Sequence, residues 1–550
     1  MSTFHRAAAV LGVLAAALAL PAHAGKATVC TITVNSPDER EVFRRSLPAD
    51  RYEFVELVER GRPDWLASAC RRQVRCDALV ISGHFAGTEF YSSRFHVEES
   101  LPVAEMERAI CSESCPGLFS GLKEVYLFGC DTLKPEPVRS AMPEIVRGLV
   151  RAGQPREQAE RLARSLSERH TESSRDLMRR LFAGVPVIYG FSSLAPLGKV
   201  AGPMLQRHFD LGADEAVGSG RVSPRLAKLF APSSMVVTAG QRASEPGAAF
   251  RGEVCGYYDD RMTLASRIAF MHRQLAAPMP ALRMEFERVE RFFASLDAEA
   301  RSAPDAARAL AALSGDGAAR ERYLATTRET EDPALRVRMI ALARSAGWLD
   351  PVGERNETAH MIRDLLASRS VGFGEVDLIC TLNRERALDA ALGEVATARA
   401  RGAAGSGALA CLGSDEDRRR VLAALASEEE AEVQAAQAYL RHRPITDAAE
   451  LRQVAFGIAR MKGTAAQVRA LETLARHHVA DAEVIGELGR LFARTASAAV
   501  QRAIAEIFLR ADAGTIASTE LVTVLQKHRL APVGGGQDLV DVLIGRLQPS

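Results

Sequence analysis

Between Lys26 and Leu275, short apolar runs alternate with amphipathic stretches. Thr28–Val34, Tyr52–Val58, Ala78–Ser82, Val125–Phe128 and Val185–Tyr189 are rich in β-branched and aromatic residues and too short for helices, which predicts strands. Pro186 removes a ladder donor, so the last strand begins there or lies near an edge. Asp38–Leu47, Asp64–Val74, Val103–Ile110, Val138–Ala152, Glu157–Leu166 and Leu197–Phe209 carry the helical pattern, the first starting at Ser36-Pro37. The polar stretch ERHTESSR, Glu168–Arg175, predicts a loop. Strands apolar throughout, alternating with helices, predict an α/β fold with a mainly parallel sheet covered on both faces. In such sheets a site lies at the carboxyl ends of the strands.

From about Ala276 the pattern changes. The linker AAPMPA leads into helix after helix, rich in Ala, Leu, Arg and Glu. Leu282, Phe286, Val289 and Phe293 fall at helical spacing, as do Leu335, Met339 and Leu342. Similar units recur around Val433, Val468 and Val500, which are 35 and 32 residues apart. Recurrent helical pairs suggest an α-solenoid, with an irregular helical bundle as the alternative. The units resemble degenerate HEAT repeats in the opening Asp332-Pro333 and in Val337-Arg338. The expected division is a leader at 1–24, an α/β domain at 25–275 and a helical-repeat domain at 276–550.

Composition adds the compartment. Arg6, an uncharged apolar run from Ala7 to Leu20, and Ala22-His23-Ala24 form the pattern of a secretory signal peptide cut after Ala24. That run is shorter than the about 20 residues a span needs, and no later segment has one. The expectation is an exported protein, periplasmic or extracellular, with no membrane span. A net charge of +1 gives no case for a nucleic-acid partner. Nine cysteines in an oxidising compartment leave one over. Cys70 with Cys76 and Cys111 with Cys115 are local pairs, Cys380 and Cys411 join neighbouring helices, and Cys30 and Cys255 then close the first domain. Cys130 stays free in that arrangement, although sequence alone does not fix connectivity.

Two predicted strands end on reactive residues. Ala78–Ser82 runs through Gly83 into His84, and Val125–Phe128 runs through Gly129 into Cys130. In one parallel sheet both side chains emerge at the same edge. A thiol near an imidazole is what nucleophilic catalysis uses, because the thiolate attacks and the histidine takes its proton. These motifs resemble the caspase-like (clan CD) cysteine peptidases, particularly the CHAT-type branch. The spacing from His84 to Cys130 is 46 residues, against about 50 in caspases. AGVPVIYGFSSLAP, Ala183–Pro196, is similar to the segment after the nucleophile in CHAT domains. The resemblance covers residues 26–260 and implies several roles. Cys130 would be the nucleophile and His84 the general base and acid. Backbone N–H groups at Phe85 and Cys130 would hold the oxyanion. Phe191, Ser192 and Ser193 would border the substrate pocket. Two departures bear on activity: Phe85 follows the histidine where the family has glycine, and Phe128-Gly129 precedes the cysteine where caspases have Gln-Ala.

Other residues carry weaker signals. Asp131 and Glu89 either orient His84 or are solvated loop acids. His96 reads as a surface histidine rather than a substitute base, and His477-His478 as a helix-end pair suited to the dipole. Cys111 and Cys115 lack a second pair of metal ligands. No Walker A loop, dinucleotide fingerprint, HExxH or GxSxG is present, and Gly534–Gly536 reads as a flexible turn. No cofactor is implied. The expected function is an exported cysteine peptidase acting on a protein or peptide, with a partner-binding helical region. The alternative is a catalytically inactive binding scaffold.

Overall fold

A computed structural model of the chain describes residues 26–57, 66–92, 100–112, 115, 117–137, 140–212, 217–367, 371–392, 402–516, 519–531 and 538–547. The predicted leader, His96 and Gly534–Gly536 lie outside them. The chain divides into two compact units, Met1–Phe292 with Ala298–Ala309, and Phe293–Asp297 with Leu310–Ser550.

The first unit is built on a six-stranded sheet. The chain runs β1 (Ala27–Thr33), α1 (Asp38–Ser46), β2 (Tyr52–Glu56), α2 (Ala67–Arg71) and β3 (Ala78–Ser82). A small antiparallel sheet of β4 (His84–Phe85), β5 (Glu89–Tyr91) and β6 (Ser100–Pro102) follows, then α3 (Val103–Cys111) and β7 (Glu124–Phe128). Next come α4 (Met142–Arg151), α5 (Arg156–His170), α6 (Ser174–Leu181), β8 (Val187–Phe191), α7 (Gly198–Asp210), α8 (Pro224–Phe230) and β9 (Met235–Thr238). Helices α9 (Phe250–Cys255), α10 (Leu264–Leu275) and most of α11 (Met279–Ala294) follow. Strand order is β2-β1-β3-β7-β8-β9, parallel except for β9.

Alternation along each strand splits the core in two. Cys30, Ile32, Leu79, Ile81, Val125, Leu127 and Ile188 face one side, packed with α2, α3 and α6. Val29, Val80, Tyr126, Phe128, Tyr189 and Phe191 face the other, packed with α1, α7 and α8. Burial on both faces explains why the strands read as continuous apolar runs. From β1 the chain goes first to β2 on one side, then to β3 on the other. A cleft opens above that reversal, at the carboxyl ends of the strands.

Several expectations need correction. Strand β8 begins at Val187, one residue past Pro186, whose missing N–H cannot enter the ladder. ERHTESSR is mostly helical: α5 runs through His170, and α6 starts at Ser174 with the Ser173 hydroxyl capping Asp176 N–H. Its polarity serves pairing rather than solvation, since His170 Nδ1 lies 2.5 Å from Glu285 Oε1. That carboxylate belongs to a buried cluster in which Glu107 bridges Arg180 at 3.0 Å and Arg288 at 3.1 Å. Burial alone would raise the Glu285 carboxyl, but Arg288 and His170 outweigh it and hold it down at about 2.

The disulfides also differ. Cys30 pairs with Cys76, Cys70 with Cys115, and Cys111 with Cys255. The local pairs fail because packing separates them: Cys76 lies just before β3 beside β1, and Cys111 ends α3 next to α9. Cys380–Cys411 forms as expected, between two helices of the second unit, and Cys130 is the free cysteine.

The second unit is helical among its described residues. Its regular part has a 34-residue period: helices begin at Glu430, Thr464 and Ala498, and their partners at Ala448 and Ala482. Asp447 and Asp481 cap the partner helices through N–H groups two and three residues on. The register differs from the one marked by Val433, Val468 and Val500. At 34-residue spacing Val433 corresponds to Gln467 and Gln501, and all three are buried. Each glutamine donates to the carbonyls ending a helix before it, Gln467 to Ile458 O at 2.9 Å and Gln501 to Phe492 O at 3.0 Å. The period is shorter than the roughly 40 residues of HEAT repeats, and the unit is described only as helical pairs.

Candidate functional site

The pairing of β3 with β7 sets the site. Ala78 stands opposite Glu124 and Ser82 opposite Phe128, an offset of 46 residues. The same 46 separates His84 from Cys130, so the sequence spacing is the register of the sheet. One more rung, Gly83 N–H to Phe128 O at 3.2 Å, extends the ladder toward them.

Gly129 is required by close approach. A Cβ there would stand 2.7 Å from Gly83 O and 3.1 Å from Phe85 Cβ, closer than side chains tolerate. After Cys130, Asp131 turns left-handed at φ 57°, a conformation Asp tolerates better than most residues. Its N–H donates to Ser193 O at 2.8 Å, and Leu133 N–H to Phe191 O at 2.9 Å. The Thr132 hydroxyl donates to Gly129 O and accepts from Phe191 N–H, both at 3.1 Å. The turn bearing Cys130 is thus fastened to the end of β8. The sulfur is half-buried and accepts from Ala195 N–H at 3.3 Å.

His84 opens β4 opposite Tyr91, with ring centroids 5.4 Å apart. Phe85 points to the other face and is buried against Phe90 at 4.7 Å. Its ring therefore leaves the cleft uncrowded. His84 and Cys130 line one cleft of about 40 Å³, with Asn35, Ser36, Glu39 and the segment Ala195–Gly198. No hydrogen bond joins the imidazole to the thiol among the described residues.

The remaining candidates fall elsewhere. Phe191 is fully buried between Phe128 and Phe230. Ser192 N–H donates to Ser234 O at 3.0 Å and Ser193 N–H to Ser234 Oγ at 3.1 Å. The wall on that side is Ala195–Gly198. Asp131 pairs with Lys134 at 3.6 Å. Glu89 shares a face of β5 with Tyr91 but has no hydrogen bond to His84 among the described residues. In the second unit His477 Nδ1 lies 3.1 Å from Thr473 O, and burial lowers its pKa. His478 Nε2 lies 3.1 Å from Asp512 Oδ2. Among the described residues no group of three or more His, Cys, Asp and Glu side chains gathers as metal ligands.

Sequence reasoning missed Glu39. It is 3% exposed, and burial pushes its carboxyl up to about 7. The signal was present: Glu39, Val42 and Phe43 fall at i, i+3 and i+4, on the one buried face of α1. Leu197, which lines the cleft, and its sequence neighbours Leu194 and Val200 were also missed; they expose 66%, 75% and 54% of their surface.

No family model, curated protein or solved structure matches the chain. What the structure defines is a mixed α/β unit followed by a long all-α region.

Proposed function

We propose that the chain is an exported cysteine peptidase of caspase-like type, with an α/β domain at 25–275, a partner-binding helical domain at 276–550 and a leader at 1–24 that is removed. One observation carries this reading: the free thiol, Cys130, lines the same strand-end cleft as His84. A half-exposed thiol is a liability in an oxidising compartment unless it is used. Two further features agree with a peptide substrate. Leu197 on the cleft wall and its sequence neighbours Leu194 and Val200 expose apolar side chains to solvent. The N–H of Ala86 donates to Glu89 O, which by antiparallel alternation turns the Phe85 N–H away from β5 and leaves it for an oxyanion.

In the proposed reaction His84 takes the proton of Cys130, and Sγ bonds to the substrate carbonyl carbon. The C–N bond breaks as His84 returns that proton to the leaving amine. Water then attacks the thioester, giving up a proton through His84. The S–C bond breaks, leaving a carboxylic acid and the restored thiol.

A non-catalytic binding scaffold is the second reading. The resting arrangement favours it, because His84 and Cys130 share no hydrogen bond and the sulfur is engaged by Ala195 N–H. The fold and the helical region support that role without an added step. Brief iodoacetamide treatment of the non-reduced protein at neutral pH, with peptide mapping, separates the two. The peptidase reading expects rapid alkylation at Cys130, slowed about tenfold or more in His84→Ala. Equal rates with and without His84 would leave the scaffold.

A further inference from the structure

We propose that a second cavity in the α/β unit, between the end of α5 and helices α9, α10 and α11, is a binding site for a small carboxylate. It shares no lining residue with the strand-end cleft, so the inference stands whether or not Cys130 is catalytic.

The cavity holds about 60 Å³, and its polar walls are Arg169, His170, Glu253, Tyr257, Gln274 and Glu285. Its acceptors are spent. Both oxygens of Glu253 accept from Arg169 Nη2, at 2.9 and 2.8 Å. Glu285 meets His170 Nδ1 through Oε1 at 2.5 Å and Arg288 Nη1 through Oε2 at 3.2 Å.

Its donors are left over. Tyr257 is 3% exposed, and its buried hydroxyl has no hydrogen-bond partner among the described residues. Burial and the charge of nearby Glu285 push that phenol far above its ordinary range, so it keeps its proton, yet it falls short of hydrogen-bond geometry to the carboxylate. Arg169 Nε is likewise buried and unmet, while the guanidinium is fixed over the Phe250 ring at 3.7 Å. His170 Nε2 and the Gln274 amide also have no partner among the described residues.

Buried donors without partners are costly, and a ligand that brings acceptors removes the cost. The charge on Arg169 favours an anion over a neutral acceptor. Two carboxylates stand in the walls, each already met by an arginine, so a monoanion is admitted and a dianion is repelled. The volume takes about four water-sized groups, the heavy-atom count of acetate. The carboxylate is therefore that of a short free acid or of a chain end.

The test is titration calorimetry on the full mature chain with acetate, acetamide and sulfate. Acetate should bind at one site with a Kd of about 1 mM, and acetamide and sulfate at least about tenfold more weakly. Tyr257→Phe should melt no lower than the native protein, because the hydroxyl it removes has no partner, and should weaken acetate about tenfold. Gln274→Leu, at a half-buried position, should weaken it as well. Trialanine with a free carboxylate binding as tightly as acetate would identify a chain end as the source, and its exclusion a free acid. Acetate binding no better than acetamide, or unchanged in a folded Tyr257→Phe, would overturn the site and leave the cavity to water.

Discussion

At the residue scale, the cleft depends on groups placed against their ordinary preferences. Gly129 is held in a gap that fits no side chain, Asp131 in a left-handed turn, and Glu39 inside an apolar helix face. Glu39 ties stability to pH. Its folded pKa, about 7, lies above the ordinary 4.5 because burial favours the neutral acid. The folded state therefore binds more protons than the unfolded state between those values. The contribution is full below pH 4.5 and is lost as pH rises through about 7. At about 1.4 kcal/mol per unit the loss amounts to about 3 kcal/mol. Glu39→Gln removes the titration. Urea unfolding should show the variant more stable than the native protein at pH 8, by up to that amount, and nearly equal at pH 4. A parallel pH profile in both proteins would contradict a buried, unmet carboxyl. Nothing in the first-turn acids Asp38, Glu39 and Glu41 says by itself which one is buried. Only the match of Glu39 to the spacing of Val42 and Phe43 does so.

At the scale of elements, the apolar runs translate directly into strands because both faces of the sheet are covered. Ala78–Ser82 coincides with its strand, and Val125–Phe128 gains only Glu124. The small sheet β4–β6 was not legible, since two- and three-residue strands leave no period to read. The disulfide pairing was not legible either, because it follows packing between helix ends rather than distance along the chain. The helical unit shows the same limit. Val433 and Val500 mark buried positions and Val468 a half-buried one, but the shared register is carried by the polar residues Gln467 and Gln501, which a hydrophobic pattern passes over. Gln501 ties its own helix to two helix ends, donating to Phe492 O and His528 O and accepting from Leu530 N–H at 2.9 Å. Gln501→Ala leaves those buried groups without partners, at a cost of about 2–4 kcal/mol. Calorimetry should show the helical unit melting about 5–10 °C lower, with the α/β unit unmoved. A shift below about 1 °C would mean that water replaces the glutamine.

At the scale of the whole molecule, two units of different construction answer differently to reduction. The α/β unit carries three disulfides and the helical unit one among the described cysteines. Each is worth about 2–4 kcal/mol through restraint of the unfolded chain. Melting with and without dithiothreitol should therefore lower the α/β transition more than the helical one, and equal shifts would argue against this pairing. Within the α/β unit the staples are not evenly spread. Cys30, Cys70, Cys76 and Cys115 all belong to the core layer under α2, α3 and α6. The opposite layer, under α1, α7 and α8, has no cysteine in its core. That second layer holds Glu39 and runs into Leu197 and Gly198, one wall of the cleft. Mechanically, the unit is a vice with one jaw bolted to the sheet. Any widening of the cleft therefore falls to the unbolted jaw, while the disulfide-bonded side of the sheet keeps its register.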